Sequence, residues 1–309
     1  MRIGFAVPVT GAWATPARQV EIARRAEELG YHSLWTLQRL LNPAGSSDTT
    51  YRAVPDPLVT LAYLAGFTRR ARLGVAVLNL PFYPPPILAK QAATLDHVTG
   101  GRLDLGLGLG WMPEEFAAVG APMRRRGPRA EEFLGVLRAL WGGGPGDAAE
   151  YHGEFYDVPP VTMDPRPLQP GGPPILLGGA SEGALRRAGR LAAGWVSASR
   201  ADPAALGRSV GIVRDAAERA GRDPGALRFV CRAAVRVRPA AAGRKPLTGT
   251  HEQIRADFDA IAEQGITELF ADLNFDPEIT APGADPAGSM RRAHEALDAF
   301  APDPGPPAP

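Results

Sequence analysis

The chain is short of the residues that most often announce a function. Cys231 is the one cysteine among 309 residues, which excludes an intramolecular disulfide and a cysteine-built zinc site. There are five histidines, and none falls at the end of a predicted strand. His97, His251 and His294 belong to helical segments, His32 precedes a strand, and His152 lies in an irregular stretch. Without a cluster of imidazoles and carboxylates, a metal-dependent hydrolase is not expected. No apolar run approaches the roughly 20 residues of a membrane-spanning helix. The N-terminal MRIGFAVP reads as a strand, not as a charged leader followed by an apolar core. Lys and Arg number 34 against 33 Asp and Glu, so no excess of charge points to nucleic acid or an acidic membrane surface. A cytoplasmic protein acting on a small molecule is the expectation.

What is present is alternation. The hydrophobic fraction of 45% is that of a chain with a real core. Short apolar or β-branched runs bounded by Gly, Pro or polar residues predict strands at 2–8, 33–38, 72–80, 103–110, 174–178, 194–199, 228–235 and 268–274. Amphipathic segments predict helices between them at 17–29, 57–68, 86–98, 129–141, 182–192, 203–220 and 251–264, with a last one at 288–300. Eight strand–helix units in a chain of this length favour an α/β fold of the (β/α)8 TIM barrel type over a doubly wound sheet. No Pro/Gly-rich linker divides the chain, so residues 1–300 are expected to form one domain. An insertion is expected at about 142–173, with a small hairpin around 151–158. The proline-rich stretch 301–309 is expected to be disordered.

In such barrels the chemistry gathers at the C-terminal ends of the strands. The richest segment is 72–111, RLGVAVLNLPFYPPPILAKQAATLDHVTGGRLDLGLGLGW, a β-α-β unit. Its second strand carries Gly106, Gly108 and Gly110 in alternation, which strips one face of side chains and invites close approach by another strand or a flat ligand. The other strand ends carry Gln38 and Arg39, Asn79, Trp111, and Asp272 with Asn274 and Phe275. A rim this apolar, with a few amides and arginines, suits a flat aromatic cofactor. Gly178-Gly179-Ala180-Ser181 precedes a helix and has two readings. Its free amides suit a phosphate, or it is a tight turn in which Ser181 caps the helix. Ser181 lacks the sequence context of a nucleophile elbow.

Several segments together resemble the bacterial luciferase-like family of flavin- and deazaflavin-dependent oxidoreductases. They are LGVAVLNLP, the TLD-x-x-x-x-GR-x-x-x-G-x-G-x-GW pattern, RRRGPRAEEFLGVLRALW, PRPLQPGGPPILLGGAS and PLTGTHEQI. The resemblance implies a (β/α)8 barrel with insertions and a homodimer. It implies an isoalloxazine or deazaisoalloxazine ring set against a bulge in the third strand, with a non-prolyl cis peptide at Ala76-Val77 and Leu78 beside it. Gly108, Gly110 and Trp111 would follow the ring edge. The phosphate would meet Gly178, Gly179, Ala180 and Ser181, with Gly194 and Trp195 nearby.

The departures are equally informative. Where many deazaflavin enzymes of the family carry an Asp-His pair and a Glu, this chain has Gln38, Arg39 and Trp111. Arg39 stays protonated and cannot act as a general acid, but it can bind a carboxylate or stabilise developing negative charge. Arg39, Gln38 and Asp272 are therefore the candidate catalytic residues, with Asp272 or water as proton source and no metal. Coenzyme F420 passing hydride to an activated C=C or C=N bond is the leading expectation, since no histidine stands ready to steer oxygen chemistry. FMN in a two-component monooxygenase, served by a flavin reductase, is the alternative. A non-catalytic flavin-binding protein is the third.

Overall fold

The computed structural model describes residues 1–46 and 50–303 of the chain. The disorder expected of the tail falls mostly on residues 304–309, which lie outside the described residues. Eight parallel strands close into a barrel: β1 (Arg2–Ala6), β2 (Ser33–Thr36), β3 (Arg72–Asn79), β4 (Leu103–Gly108), β5 (Ile175–Gly178), β6 (Gly194–Val196), β7 (Arg228–Ala234) and β8 (Glu268–Asp272). Each pairs with the next, and β8 closes on β1 with Arg2 opposite Glu268. The expected (β/α)8 barrel is the fold, with strand starts within one residue of those read from the sequence.

Local chemistry explains the helix boundaries. Thr15 and Asp56 accept from the backbone amides of Arg18 and Val59, capping α1 (Pro16–Glu28) and α2 (Pro57–Ala65), each of which opens on proline. Gly100 ends α3 (Pro85–Thr99) in the left-handed conformation that glycine adopts without strain. The insertion carries an antiparallel hairpin of Ala149–His152 and Asp157–Val161. Short elements went unread in the sequence, among them the six-residue helix α4 (Pro113–Ala118), the helix Pro277–Thr280, and a parallel pair of Arg236–Val237 with Thr248–Gly249. They are too short to show a period.

The apolar residues form two layers. Ala6, Trp35, Ala76, Leu176, Val196, Val230 and Phe270 fill the barrel, with Trp35 stacked on Phe270 at 5.0 Å and 16°. Residues of the opposite strand faces, such as Leu34, Leu73, Leu105 and Phe229, pack outward with the helices. Gly74 leaves room for Trp35, since a β-carbon there would lie 2.6 Å from the indole.

Below this plug, the N-terminal end of the barrel is closed by charge. The buried Asp104 carboxylate accepts from Arg72 (Nη2–Oδ1 2.7 Å, Nε–Oδ2 2.9 Å) and from Arg228 (2.7 and 2.9 Å). Arg228 also donates to Glu268 at 2.7 Å, and the other Glu268 oxygen accepts from Ser33 at 2.6 Å. Burial alone would push the Asp104 carboxyl up, but the hydrogen bonds from Arg72 and Arg228 outweigh it and hold the group below the usual aspartate range.

Asp104→Asn would strip two half-buried arginines of their shared counter-charge. It is expected to lower unfolding stability by about 3–5 kcal/mol in urea titration, the range for breaking a buried pair. Because the folded pKa is depressed, this stabilisation is present above the ordinary aspartate value and fades as pH falls through the lower folded value. The gap between wild type and variant should therefore narrow in acid. A loss of about 1 kcal/mol or less, the range of exposed pairs, would show the cluster to be dispensable.

Candidate active site

At the other end of the barrel a cavity of about 390 Å³ opens over the ends of β2 through β7. Its floor is set by an irregularity in β3, whose register against β4 shifts between Val75 and Leu78. The Ala76-Val77 peptide within this bulge is cis, as the resemblance implied. The alternating glycines of β4 answer to this bulge. A β-carbon at Gly106 would collide with the Val75 carbonyl oxygen, and one at Gly108 would lie 2.6 Å from Cγ2 of Val77. Gly178 of β5 faces the same side chain, with its β-carbon position 3.2 Å from Val77 Cγ1. Of the two approaches that the glycine face allowed, the neighbouring strand is the one that fills it. Gly110, at φ 70°, makes the turn out of β4 against Phe116.

Two buried ion pairs shape the mouth. Arg232 of β7 reaches across it, donating to the Ala76 carbonyl at 3.1 Å and to Asp272 Oδ2 at 2.7 Å, while its guanidinium lies over the Phe275 ring at 4.6 Å. Arg39, after β2, donates to Glu115 Oε2 on α4 at 3.1 Å. Its guanidinium lies over the Tyr51 and Trp111 rings at 4.4 and 4.8 Å. Glu115 is fully buried, and its second oxygen accepts from the Leu40 and Leu41 amides. The Arg39 Nε is buried without a partner.

Gln38 is held at both ends of its amide. Its oxygen accepts from Asn79 N at 2.8 Å and its nitrogen donates to the Tyr83 hydroxyl at 2.6 Å. Burial, aided by Asp56, pushes that phenol up to about 12 against the opposing Gln38 hydrogen bond.

The glycine turn after β5 lies at a further side of the cavity. Gly178, Gly179, Ser181 and Ala184 line it, and Ser181 caps α6 (Glu182–Leu191) by accepting from Ala184 N. The N-cap reading of Ser181 is thus realised, with the start of α6 still turned to the cavity. Arg126, at the start of α5 (Arg126–Trp141), also lines the cavity and donates to the Gly110 carbonyl at 2.6 Å.

Several sequence candidates are placed differently from expectation. Asp272 does not line the cavity. It is fully buried, and its Oδ1 accepts from both the amide and the side chain of Asn274 at 2.9 Å. With every partner a donor, it holds Arg232 in place and does not face the substrate space. Leu78 points into the outer layer, on the far side of β3 from the cavity. Gly194 begins β6 at the opposite end of the barrel, where a β-carbon would collide with the Arg228 carbonyl. Trp195 is buried and acts on the turn from behind, donating to the Gly179 carbonyl at 2.8 Å. Ala180 is exposed and outside the lining. Gln38, Arg39, Ala76, Val77, Gly108, Gly110, Trp111, Gly178, Gly179 and Ser181 all meet at the cavity.

The sequence reading missed Glu115, Tyr51 and Arg126, and it gave Arg232 no role. An acidic residue shortly after the glycine strand was the available signal for Glu115. For Tyr51 no local pattern existed.

Beside Arg232, Cys231 is buried and its thiol is pushed up to about 12 by burial, against a hydrogen bond with Ser197. The folded protein is therefore expected to resist iodoacetamide at pH 8, while protein unfolded in guanidinium reacts at one site per chain. Rapid labelling of the native state, followed by mass spectrometry, would contradict the burial.

Known proteins resemble this chain in sequence and fold. The sequence model of the family described as luciferase-like monooxygenase matches residues 1–264. Uncharacterized protein Rv0940c of Mycobacterium tuberculosis is 38% identical over 216 residues, 66% of this chain and 72% of that protein. The oxygenase component of a flavin-dependent trigonelline monooxygenase from Acinetobacter baylyi is 32% identical over 158 residues, 50% of this chain and 41% of that protein. The structure of an F420-dependent secondary alcohol dehydrogenase with an F420-acetone adduct shares the fold, with a TM-score of 0.77 at 16% identity over 96% of this chain and 98% of that one. With a matching family model over most of its length and a bulged third strand facing a cavity at the strand ends, the chain belongs to the luciferase-like monooxygenase family.

Proposed function

We propose that this protein is an oxidoreductase that uses reduced coenzyme F420 to pass hydride to an activated C=C or C=N bond of a small organic acceptor. The observation that carries this reading is the cavity itself. It lies over the β3 bulge, has a glycine turn and a helix start at one side, and opens to solvent beside Trp111, which is 64% exposed. Hydride transfer to a bound acceptor tolerates an open mouth, whereas oxygen chemistry on a reduced flavin needs water kept out.

The residues present fit such a cofactor. The cavity volume is within the range of small-molecule sites. Ala76 and Val77 offer an apolar shelf for a flat ring, and Gly178, Gly179 and Ser181 with the α6 amides suit a phosphate. When bound, the reduced deazaflavin supplies the hydride. The chain supplies position and charge. Arg39 brings a fixed positive charge to the acceptor side, where it stabilises negative charge developing on a carbonyl or carboxylate. The locked amide of Gln38 keeps one N–H beyond its bond to Tyr83 and can orient the acceptor. Arg232 secures the shelf through the Ala76 carbonyl. Among the described residues no histidine, aspartate or glutamate lines the cavity, so the proton that completes reduction comes from water at the open mouth.

A second reading is an FMN-dependent monooxygenase working with a flavin reductase. The trigonelline monooxygenase relative, an oxygenase component by name, favours it. A protein that binds cofactor without turnover is the third, and it predicts no substrate-dependent oxidation of the reduced cofactor.

Parallel fluorescence titrations decide first. F420 is expected to bind at least tenfold more tightly than FMN, a difference of about 1.4 kcal/mol. The reverse preference would move the assignment to the monooxygenase, and no binding of either at micromolar concentration would remove all three readings. Gly179, at φ 128°, has its β-carbon position 2.6 Å from Ala184 Cβ, so Gly179→Ala distorts the turn. This variant should weaken the phosphate-bearing cofactor about tenfold, with little effect on its dephosphorylated ring-ribityl fragment. Equal losses for both would place the phosphate elsewhere.

A further inference from the structure

A second pocket of about 280 Å³ adjoins the main cavity and shares Ser199 and Arg232 with it. It lies over the ends of β6, β7 and β8. Its distinguishing feature is charge. Arg200, Arg236 and Lys245 line it together with Arg232, and among the described residues no aspartate or glutamate belongs to the lining. Arg232 is already neutralised by Asp272, which leaves an excess of three positive charges among the described residues. Two arginines nearby in sequence do pair with carboxylates, Arg238 with Asp276 and Arg244 with Asp257. Here, among the described residues, Arg236 donates only to the Phe275 carbonyl, at 3.3 Å. Arg200 and Lys245 have no ion-pair partner among the described residues.

The cations are placed by the fold. The short parallel pair sets Arg236 opposite Thr248, and Thr248 N donates to the Lys245 carbonyl at 3.1 Å, so the turn 245–248 brings the lysine beside the arginine. Arg200 enters from the loop after β6. Leu206, Leu247 and Phe275 supply an apolar base. Unpaired like charges held around one concavity repel one another and focus a positive potential. An occupant of opposite sign relieves that repulsion, and an arginine and a lysine side by side suit carboxylate or phosphate oxygens.

We infer that this pocket anchors an anionic group, a carboxylate or a phosphate, carried by the substrate. The inference rests on the reading that the cofactor ring occupies the main cavity with its phosphate at Gly178–Ser181. An acceptor held by its anion among Arg200, Arg236 and Lys245 would pass Arg232 and reach the ring lying on the Ala76-Val77 shelf. The substrate class is then a small unsaturated acid or phosphate ester, not a neutral hydrocarbon.

The test titrates inorganic phosphate, and in a parallel arm glutarate, by calorimetry, into cofactor-saturated and cofactor-free protein. It compares wild type with Arg200→Gln/Arg236→Gln/Lys245→Gln. All three side chains are exposed, so the variant should keep the wild-type melting temperature. With the cofactor site filled, the wild type should bind at least one of the two anions, and the triple variant should bind it at least tenfold more weakly while its cofactor Kd stays within twofold. The better of the two probes identifies the group. Equal anion affinity in wild type and variant overturns the proposal. A tenfold loss of cofactor affinity in the variant overturns it too, by assigning the pocket to the cofactor's own tail. If neither F420 nor FMN binds, the proposed function fails, while the cofactor-free titration still shows whether these three residues hold an anion.

Discussion

The site depends on one close contact, the bulge of β3 pressed against the glycine face of β4. The Val75 carbonyl occupies the space of a missing β-carbon at Gly106, and Val77 occupies that of Gly108. Any larger residue at either position would drive the strands apart or turn Val77 out of place. The contact shifts the strand register, sets Ala76 and Val77 as the cavity floor, and turns the Ala76 carbonyl to where Arg232 can hold it from across the barrel. Floor, cavity and cross-barrel clamp all follow from two strands approaching more closely than side chains would allow.

Charge is used differently at the two ends of the barrel. The N-terminal end is sealed by carboxylates that each serve more than one donor, with Asp104 between two arginines and Glu268 between Arg228 and Ser33. Such networks hold because each buried charge is compensated and hydrogen-bonded. At the mouth the carboxylates lie behind their arginines. Asp272 and Glu115 are fully buried, while Arg232 and Arg39 line the cavity. The face offered to a ligand is therefore cationic, and the neighbouring pocket of Arg200, Arg236 and Lys245 extends it. This polarity suits chemistry in which negative charge develops on the bound molecule.

Much of the fold was legible because strand and helix periods are local. The starts of β3 and β4, the proline entry of α3 and its stop at Gly100 follow from adjacent residues. The candidate site was legible where one residue's identity constrains its surroundings, as at Gly108, Gly178 and Gly179. It was less legible where a side chain's partner lies far along the chain. Asp272 looks like a proton donor in a list of strand ends, until Arg232 and Asn274 take both its oxygens. Glu115 draws no notice in the sequence, until Arg39, 76 positions away, is found bound to it. Gly194, which the resemblance set near the phosphate, lies at the barrel's other end.

The sequence by itself determined the alternation of strands and helices, the family pattern and the glycine positions, since each is written in spacing and residue size. Which atoms face the cavity was decided by the tertiary structure alone. Barrel closure brings β3 opposite β7 and the loop after β2 beside α4, and the resulting buried charges must find counter-charges wherever the fold presents them. Those pairings select which arginines remain available to a ligand, and no local pattern encodes them.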